Sequence, residues 1–296
     1  MLEIEYNYPL YRPPSEANSL IFQVTLGCSF NKCSFCNMYR TKEYQERPWE
    51  EIKAEIDLAS NAFPQANRVF LGDGDALNLP TDRLVLIIGY LRSKFPALKR
   101  VASYAMPKNI LQKNDEDMDR LRHAGLGMLY LGIETGNDIL LKKVTKGATG
   151  TGILKACQKA QSHKYTLSCM VILGLGGRTY TRQHTEDTSR LVSAVSPDYM
   201  AALNLQLEKG IYHEFLGKFG EPFIPLEDTE ILNELGRLIA QIKPRRPIIF
   251  RANHASNVYS IGGTLPNDKA KLLSLIEDLK KSPGLLKPKV LPGLLL

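Results

Sequence analysis

Segments with strand character alternate along most of this chain with segments of helical periodicity. Six short runs are rich in β-branched, aromatic and other apolar residues and have the length of a buried strand. They lie at 19–26, 68–71, 100–104, 128–133, 165–173 and 199–205. Helices are predicted between them, at 48–62, 81–94, 115–124, 152–162 and 181–195. This alternation predicts an α/β fold in which right-handed crossovers join parallel strands.

Residues of unusual chemistry cluster directly after several of the predicted strands. Glycine, cysteine and acidic residues gather at 27–36, 72–75, 134–136 and 174–177. Because the C-terminal strand ends and their loops build the site of a (β/α) barrel, this placement favours part of a barrel over an open doubly wound sheet. We therefore predict a partial (β/α)6 barrel of the TIM type at residues 19–205, preceded by an N-terminal arm at 1–18.

The pattern of the sequence changes after residue 205. The later predicted elements are a Gly-, Phe- and Pro-rich segment at 208–225, a helix at 226–242, a short strand at 247–250 and a helix at 268–281. We predict that residues 206–296 form a C-terminal α/β extension packed on the core. Its polar segment 251–257 is our candidate for substrate contacts. The apolar tail at 283–296 contains three prolines and is expected to dock on the core or on a partner.

Composition and charge exclude several classes of protein. No apolar run reaches the roughly 20 residues that span a bilayer, and the N-terminus is acidic where a secretory signal would be basic, so we expect a cytoplasmic location. Five cysteines in 296 residues, three of them within nine positions, do not fit a disulfide framework. The net charge of +7 is spread along the chain, so we interpret it as a solvated surface and do not expect nucleic acid as a partner.

Cys28, Cys33 and Cys36 form a C-x4-C-x2-C pattern directly after the first predicted strand. Thiolates are ligands that both iron–sulfur clusters and zinc select. A structural zinc site takes four protein ligands, and an electron-carrying cluster normally takes four thiolates. Cys157 and Cys169 lie in a predicted helix and a predicted strand and are poorly placed as a fourth ligand. The pattern favours a cluster with one open iron, and a zinc-stabilised nucleic-acid-binding module or an electron-transfer protein remain the alternatives.

The arrangement resembles the radical S-adenosylmethionine (SAM) superfamily over roughly residues 19–205. The trio follows the first strand, the aromatic residue Phe35 precedes the last cysteine, and five further strands follow. The resemblance implies that the three cysteines hold a [4Fe-4S] cluster whose unique iron binds the amino and carboxylate groups of SAM. The commonest spacing in the superfamily has three residues between the first two cysteines, whereas this chain has four. The subgroup is therefore unassigned.

The resemblance also implies cosubstrate contacts at later strand ends. The sequence Gly-Asp-Gly-Asp at 72–75 stands where the superfamily usually has Gly-Gly-Glu, whose backbone binds the amino group of SAM; the alternative is an ordinary turn. The sequence Leu-Gly-Ile-Glu-Thr-Gly at 131–136 resembles Gly-Ile-Glu-Ser-Gly, in which Glu134 would accept hydrogen bonds from the cosubstrate. The alternative is an acidic residue that complements the dipole of the next helix. The candidate cofactor-binding residues are Phe35, Gly72, Asp73, Gly74, Asp75, Glu134 and Asn204.

Two of the candidates have simple structural alternatives. Asn204 would bind a ligand or cap the sixth strand. Cys169 would donate a hydrogen atom to a substrate radical or, as buried thiols commonly do, serve only in packing. The reaction implied by the resemblance begins with an electron donor such as flavodoxin or ferredoxin. SAM would then be cleaved to methionine and a 5′-deoxyadenosyl radical that abstracts hydrogen from an unknown substrate, for which we favour a small molecule.

Overall fold

The computed structural model describes residues 4–282, so the predicted docking of the tail at 283–296 lies outside the described residues. Its strands are β1 (Leu20–Gln23), β2 (Thr25–Leu26), β3 (Gln45–Glu46), β4 (Arg68–Gly72), β5 (Arg100–Tyr104), β6 (Leu126–Glu134), β7 (Thr166–Leu173), β8 (Tyr199–Asn204), β9 (Ile248–Ala252) and β10 (Ile261–Leu265). Its helices are α1 (Trp49–Ala62), α2 (Thr81–Lys94), α3 (Pro107–Gln112), α4 (Asp115–Ala124), α5 (Asp138–Lys143), α6 (Gly150–Ser162), α7 (Gly177–Val195), α8 (Lys209–Phe219), α9 (Asp228–Gln241) and α10 (Lys269–Lys281).

The first of two compact units comprises residues 4–31, 38–131 and 158–167. Its strands β1, β4, β5 and β6 pair in parallel in that order. Phe22, Leu71, Ser103 and Leu129 lie side by side across these strands, and all four are buried. The apolar runs therefore form the core of a parallel sheet, and α2 packs between α1 and α4.

The second unit comprises residues 32–37, 132–157 and 168–282. Strands β7, β8 and β9 pair in parallel, and β10 joins β9 in antiparallel orientation. Cys169, Met200 and Phe250 form one row across these strands and are wholly buried. Helix α9 packs against both α7 and α10.

The six predicted core strands and their five intervening helices are confirmed, with α2, α4 and β5 at the predicted bounds. The Gly-, Phe- and Pro-rich segment at 208–225 contains α8, for which no helix was predicted. Ile211, Phe215 and Phe219 give this helix a buried stripe, and Gly220 ends it with a positive φ of 75°. Helices α3 and α5 and strand β10 were not predicted. The boundaries at residues 18 and 205 stay predictions, and within residues 4–282 no helix is long and apolar enough to cross a bilayer.

Candidate cofactor site

The predicted cluster ligands lie in a loop that follows β2. Cys28 belongs to the first unit, whereas Cys33 and Cys36 belong to the second. All three side chains are half-buried, and none of the five cysteines forms a disulfide bond. Gly27 has a positive φ of 71°, which glycine adopts without strain, and its carbonyl accepts a hydrogen bond from the Gly74 amide at 3.1 Å. The loop therefore begins against the segment that follows β4.

A backbone turn holds the second and third cysteines of the trio. The Cys36 amide donates to the Cys33 carbonyl at 3.1 Å. Between them, the Ser34 amide donates to the Val144 carbonyl at 3.0 Å. The turn is thus attached to the end of α5. It also keeps the thiols of Cys33 and Cys36 on the same short turn.

Phe35 and Asn37 attach this turn to the strands and to the predicted extension. The Phe35 ring packs against an apolar cluster to which Ile172 of β7 and Leu205, just after β8, also contribute. Asn37 Nδ2 donates to Glu208 Oε2 at 2.7 Å. Because these two anchors flank the last cysteine of the trio, packing and hydrogen bonding both restrict the position of its thiol.

An ion pair lies beside the second and third cysteines. Lys146 Nζ donates to Glu134 Oε1 at 2.6 Å, and the two side chains are only 11% and 10% exposed. Burial lowers the pKa of Lys146, but Glu134 and the thiol groups of Cys33 and Cys36 raise it by a larger amount. The pKa of Lys146 therefore lies above its ordinary value. The ammonium group therefore stays charged next to two predicted ligands. Sequence reasoning missed Lys146, because no motif surrounds it.

The position of Glu134 depends on the glycine two residues before it. Glu134 ends β6 with a positive φ of 62°, a conformation that costs a non-glycine residue about 1–2 kcal/mol. A Cβ at Gly132 would overlap the Glu134 carboxylate and lie 2.9 Å from Lys146 Nζ. Helix α5 begins only at Asp138 and is capped by Asn137. Glu134 is therefore the partner of a lysine, which favours a role at the site over the alternative in which it complements the next helix.

The segment at 72–75 approaches the start of the cysteine loop within the first unit. A Cβ at Gly74 would lie 2.5 Å from the Tyr39 ring and 3.3 Å from the Cys28 Cβ. Glycine is therefore the residue that lets this backbone pass so close to the first cysteine.

Asp73 is wholly buried within the first unit. Its Oδ1 accepts a hydrogen bond from Gln23 Nε2 at 2.9 Å, and its Oδ2 accepts from the Gly27 amide at 3.1 Å and from Lys42 Nζ at 2.9 Å. Gln23 and Lys42 both also bond to the Asn7 backbone. The Asp73 carboxylate is therefore enclosed by protein donors and connects the arm, β1 and the cysteine loop.

Asp75 lies in a different environment. Its Oδ2 accepts a hydrogen bond from the Ser29 hydroxyl, next to the first cysteine. Its Oδ1 is buried and has no hydrogen-bond partner within residues 4–282. Burial raises the pKa of Asp75 to about 6. This carboxyl group retains an unused acceptor that a cationic ligand could satisfy.

The side-chain oxygen and the backbone amide of Asn204 both bond to the segment that follows β9. The Oδ1 of Asn204 accepts from the Tyr259 hydroxyl at 3.0 Å, and its backbone amide donates to Asn257 Oδ1 at 2.9 Å. This arrangement favours the strand-capping alternative for Asn204. The Cys157 thiol and burial together raise the pKa of Cys169, which favours the packing alternative for that thiol.

The residues present fit an iron–sulfur cluster that keeps one iron for an exchangeable ligand. The loop offers three half-buried thiols, a lysine adds positive charge beside two of them, and a glycine backbone adjoins the first. The remaining cysteines, Cys157 and Cys169, are wholly buried and contact each other. The α/β fold and this donor set together define the class as an iron–sulfur protein with an incompletely ligated cluster.

Sequence comparison gives the family. The family model described as "Radical SAM superfamily" matches residues 22–192, more than half of the chain. This chain belongs to the radical SAM superfamily, whose members bind a [4Fe-4S] cluster and SAM. The predicted family and cofactors are therefore confirmed, whereas the individual site residues stay predictions.

Two curated relatives match over part of their length. The heme chaperone HemW of Bacillus subtilis is 22% identical over 205 residues, which covers 69% of this chain and 52% of that protein. The tRNA-2-methylthio-N(6)-dimethylallyladenosine synthase of Alkalilimnicola ehrlichii is 25% identical over 209 residues, which covers 66% of this chain and 45% of that protein. The chain thus spans about half the length of the curated relatives it matches.

Solved structures establish the fold. Coproporphyrinogen III oxidase (HemN) from Escherichia coli superposes with a TM-score of 0.56 at 18% identity, over 75% of this chain and 52% of that one. Methylornithine synthase (PylB) gives a TM-score of 0.53 at 18% identity, over 75% of this chain and 62% of that one. These matches confirm the predicted α/β class and the partial barrel of the TIM type.

Proposed function

We propose that this chain cleaves SAM reductively at a [4Fe-4S] cluster bound by Cys28, Cys33 and Cys36, and that it abstracts hydrogen from a small-molecule substrate. When bound, the cluster supplies the electron that breaks the sulfonium bond of SAM and produces a 5′-deoxyadenosyl radical. The protein's contribution is to hold the ligands, to orient SAM and to exclude water.

The observation that carries this proposal is the asymmetric environment of the cysteine loop. Three thiols from nine residues leave one iron of a cubane without a protein thiolate. Lys146 provides positive charge on the side of Cys33 and Cys36. A zinc site or an electron-carrying cluster would use a fourth protein ligand, and neither alternative explains the lysine.

The surrounding residues take separate roles in this proposal. The backbone at Gly72 and Gly74 and the unused Oδ1 of Asp75 would receive the amino group of SAM. Glu134 holds Lys146 and would accept a hydrogen bond from the cosubstrate, while Phe35 packs beside the last cysteine. We assign Asp73 and Asn204 to holding the loop and the strand end, because the side-chain oxygens of both residues already accept hydrogen bonds from the protein.

The curated relatives do not identify the substrate of this chain. The names of those proteins refer to heme and to a modified tRNA adenosine, but this chain covers only about half of each. A one-electron donor such as flavodoxin or ferredoxin would supply the reducing equivalents in the cytoplasm.

Anaerobic reconstitution tests the proposal. The wild-type protein should bind about four iron and four sulfide per chain and should form 5′-deoxyadenosine and methionine when reduced with dithionite in the presence of SAM. Cys36→Ala should lose both properties. Cys157→Ala is the matched control, because its thiol is wholly buried and contacts Cys169, and it should keep the cluster. Tightly bound zinc without iron, or an intact cluster that forms no 5′-deoxyadenosine, would contradict the proposal.

The role of Lys146 has its own test. Lys146→Met should weaken SAM binding or cluster retention, measured by the change that SAM produces in the electron paramagnetic resonance spectrum of the reduced cluster. Lys142→Met removes the same charge from an exposed position of α5 and should leave this spectral change intact. Identical spectra for the two variants would refute a role for Lys146 at the cluster.

A further inference from the structure

The sheet formed by β7, β8, β9 and β10 has one covered face and one open face. Adjacent residues in register share a face, and successive residues along a strand alternate between the two faces. On the covered face, Cys169, Met200 and Phe250 are almost completely buried. The next row is Met170, Ala201, Arg251 and Gly262, in which the first two residues are half-buried and the last two are exposed.

Arg251 therefore lies on the open face of this mixed sheet, an unusual position for a cation. The neighbours of Arg251 in its row on β8 and β10 are Ala201 and Gly262. Both are too small to cover the guanidinium group. The guanidinium group is therefore not covered by the side chains of its own row.

Arg251 has no ion pair or hydrogen bond that involves its guanidinium group within residues 4–282. Most other arginines of the second unit bond to a carboxylate or to a backbone carbonyl: Arg178, Arg182, Arg190, Arg245 and Arg246. Arg237 also has no such partner in the described part of the chain, but it lies on the exposed side of α9, where water surrounds it. Arg251 thus differs from Arg237 in its position, because its guanidinium group is unpaired within residues 4–282 and lies on the sheet formed by β7, β8, β9 and β10.

The open face leads toward the cysteine loop. Ile172 is the next residue of β7 on the same face as Met170, and it packs in the cluster that contains Phe35. Strand spacing and rise place the Cα atoms of Ile172 and Arg251 about 12 Å apart, because they are separated by two strands and two residues. A molecule of ordinary metabolite size would span that distance.

We propose that Arg251 binds an anionic oxygen group of the substrate, a carboxylate or a phosphate, on this open face. The planar guanidinium group presents paired donors that match such groups in a bidentate geometry. The anionic end of the substrate is thereby fixed on β9 while its other end extends toward the cysteine loop. This inference rests on the proposed function, since it names the substrate class of that site.

Protection from chemical modification tests the proposal without turnover. The anaerobic holoenzyme is treated with phenylglyoxal in chloride buffer, and the modification of the peptides that contain Arg251 and Arg237 is followed by mass spectrometry. Phosphate or acetate, at constant ionic strength, should slow the modification of Arg251 but not that of Arg237. If the anion binds Arg251 with a dissociation constant of ~10 mM, about 50 mM anion should slow the modification of Arg251 about sixfold. Protection by phosphate alone, by acetate alone or by both identifies the anion class.

Two variants provide a second measurement. Phosphate should raise the thermal midpoint of the wild type and of Arg237→Gln equally, and should raise that of Arg251→Gln by less. Equal protection at Arg251 and Arg237, no protection at Arg251, or equal midpoint shifts in the two variants would overturn the proposal. If the holoenzyme makes no 5′-deoxyadenosine, the proposed function fails, whereas the protection at Arg251 is measured independently of that reaction.

Discussion

Asp73→Asn is the most informative substitution in the first unit, because it changes one atom of a fully enclosed carboxylate. The two oxygens of Asp73 accept from Gln23 Nε2, from the Gly27 amide and from Lys42 Nζ. An asparagine must direct its NH2 group toward one of these donors. Gln23 cannot turn to offer its oxygen, because Asn7 bonds to both ends of its amide at 2.8 and 2.9 Å.

The expected cost follows from the burial of this network. Lys42 would keep a buried ammonium group without its carboxylate, since the two side chains are 5% and 0% exposed. Breaking a buried pair by removing one partner costs about 3–5 kcal/mol. For a chain of this length, that loss lowers the thermal midpoint by about 5–8 °C.

The assay is thermal unfolding of the cluster-free protein, followed by circular dichroism under anaerobic conditions. Asp82→Asn is the matched control, because the Asp82 side chain is 84% exposed in its pair with Arg120 and should change the free energy of unfolding by less than about 1 kcal/mol. Asp73→Asn should also lose iron after reconstitution, since the Gly27 amide that it holds precedes the first cysteine. A midpoint within about 2 °C of the wild type would refute the reasoning.

Two further predictions concern the strand ends. Burial raises the pKa of Asp75 from an ordinary 3.8 to about 6, so this group destabilises the folded protein as pH rises through that window. Asp75→Asn should therefore be more stable than the wild type at pH 7.5 by up to about 3 kcal/mol. This advantage should be lost by about pH 4, as urea unfolding at several pH values will show. Gly132→Ala should displace Glu134 from Lys146 and lower the free energy of unfolding by about 1–3 kcal/mol. Gly127→Ala in the same strand has open space around its Cβ and should not lower it. Equal thermal midpoints for the two variants would contradict this explanation.

Local patterns were sufficient to predict the six core strands, the five helices between them and the cysteine loop. The strands are apolar runs that remain buried after folding, and α2 and α4 have the predicted bounds because their periodicity and flanking residues are local signals. Helix α8 was missed because its glycines and aromatic residues resemble a loop, and its buried stripe becomes meaningful only against the side chains that cover it.

The sequence by itself was sufficient to predict the family, because three cysteines within nine residues and the strands that follow them are local properties of the chain. It could not separate Asp73 from Asp75, since the difference depends on Gln23 and Lys42, which enclose only one of the two carboxylates. Only the tertiary structure placed Lys146 beside the cysteines and left Arg251 on an open sheet face with no partner among residues 4–282. Both outcomes depend on strand register and packing between distant segments, which no short motif encodes.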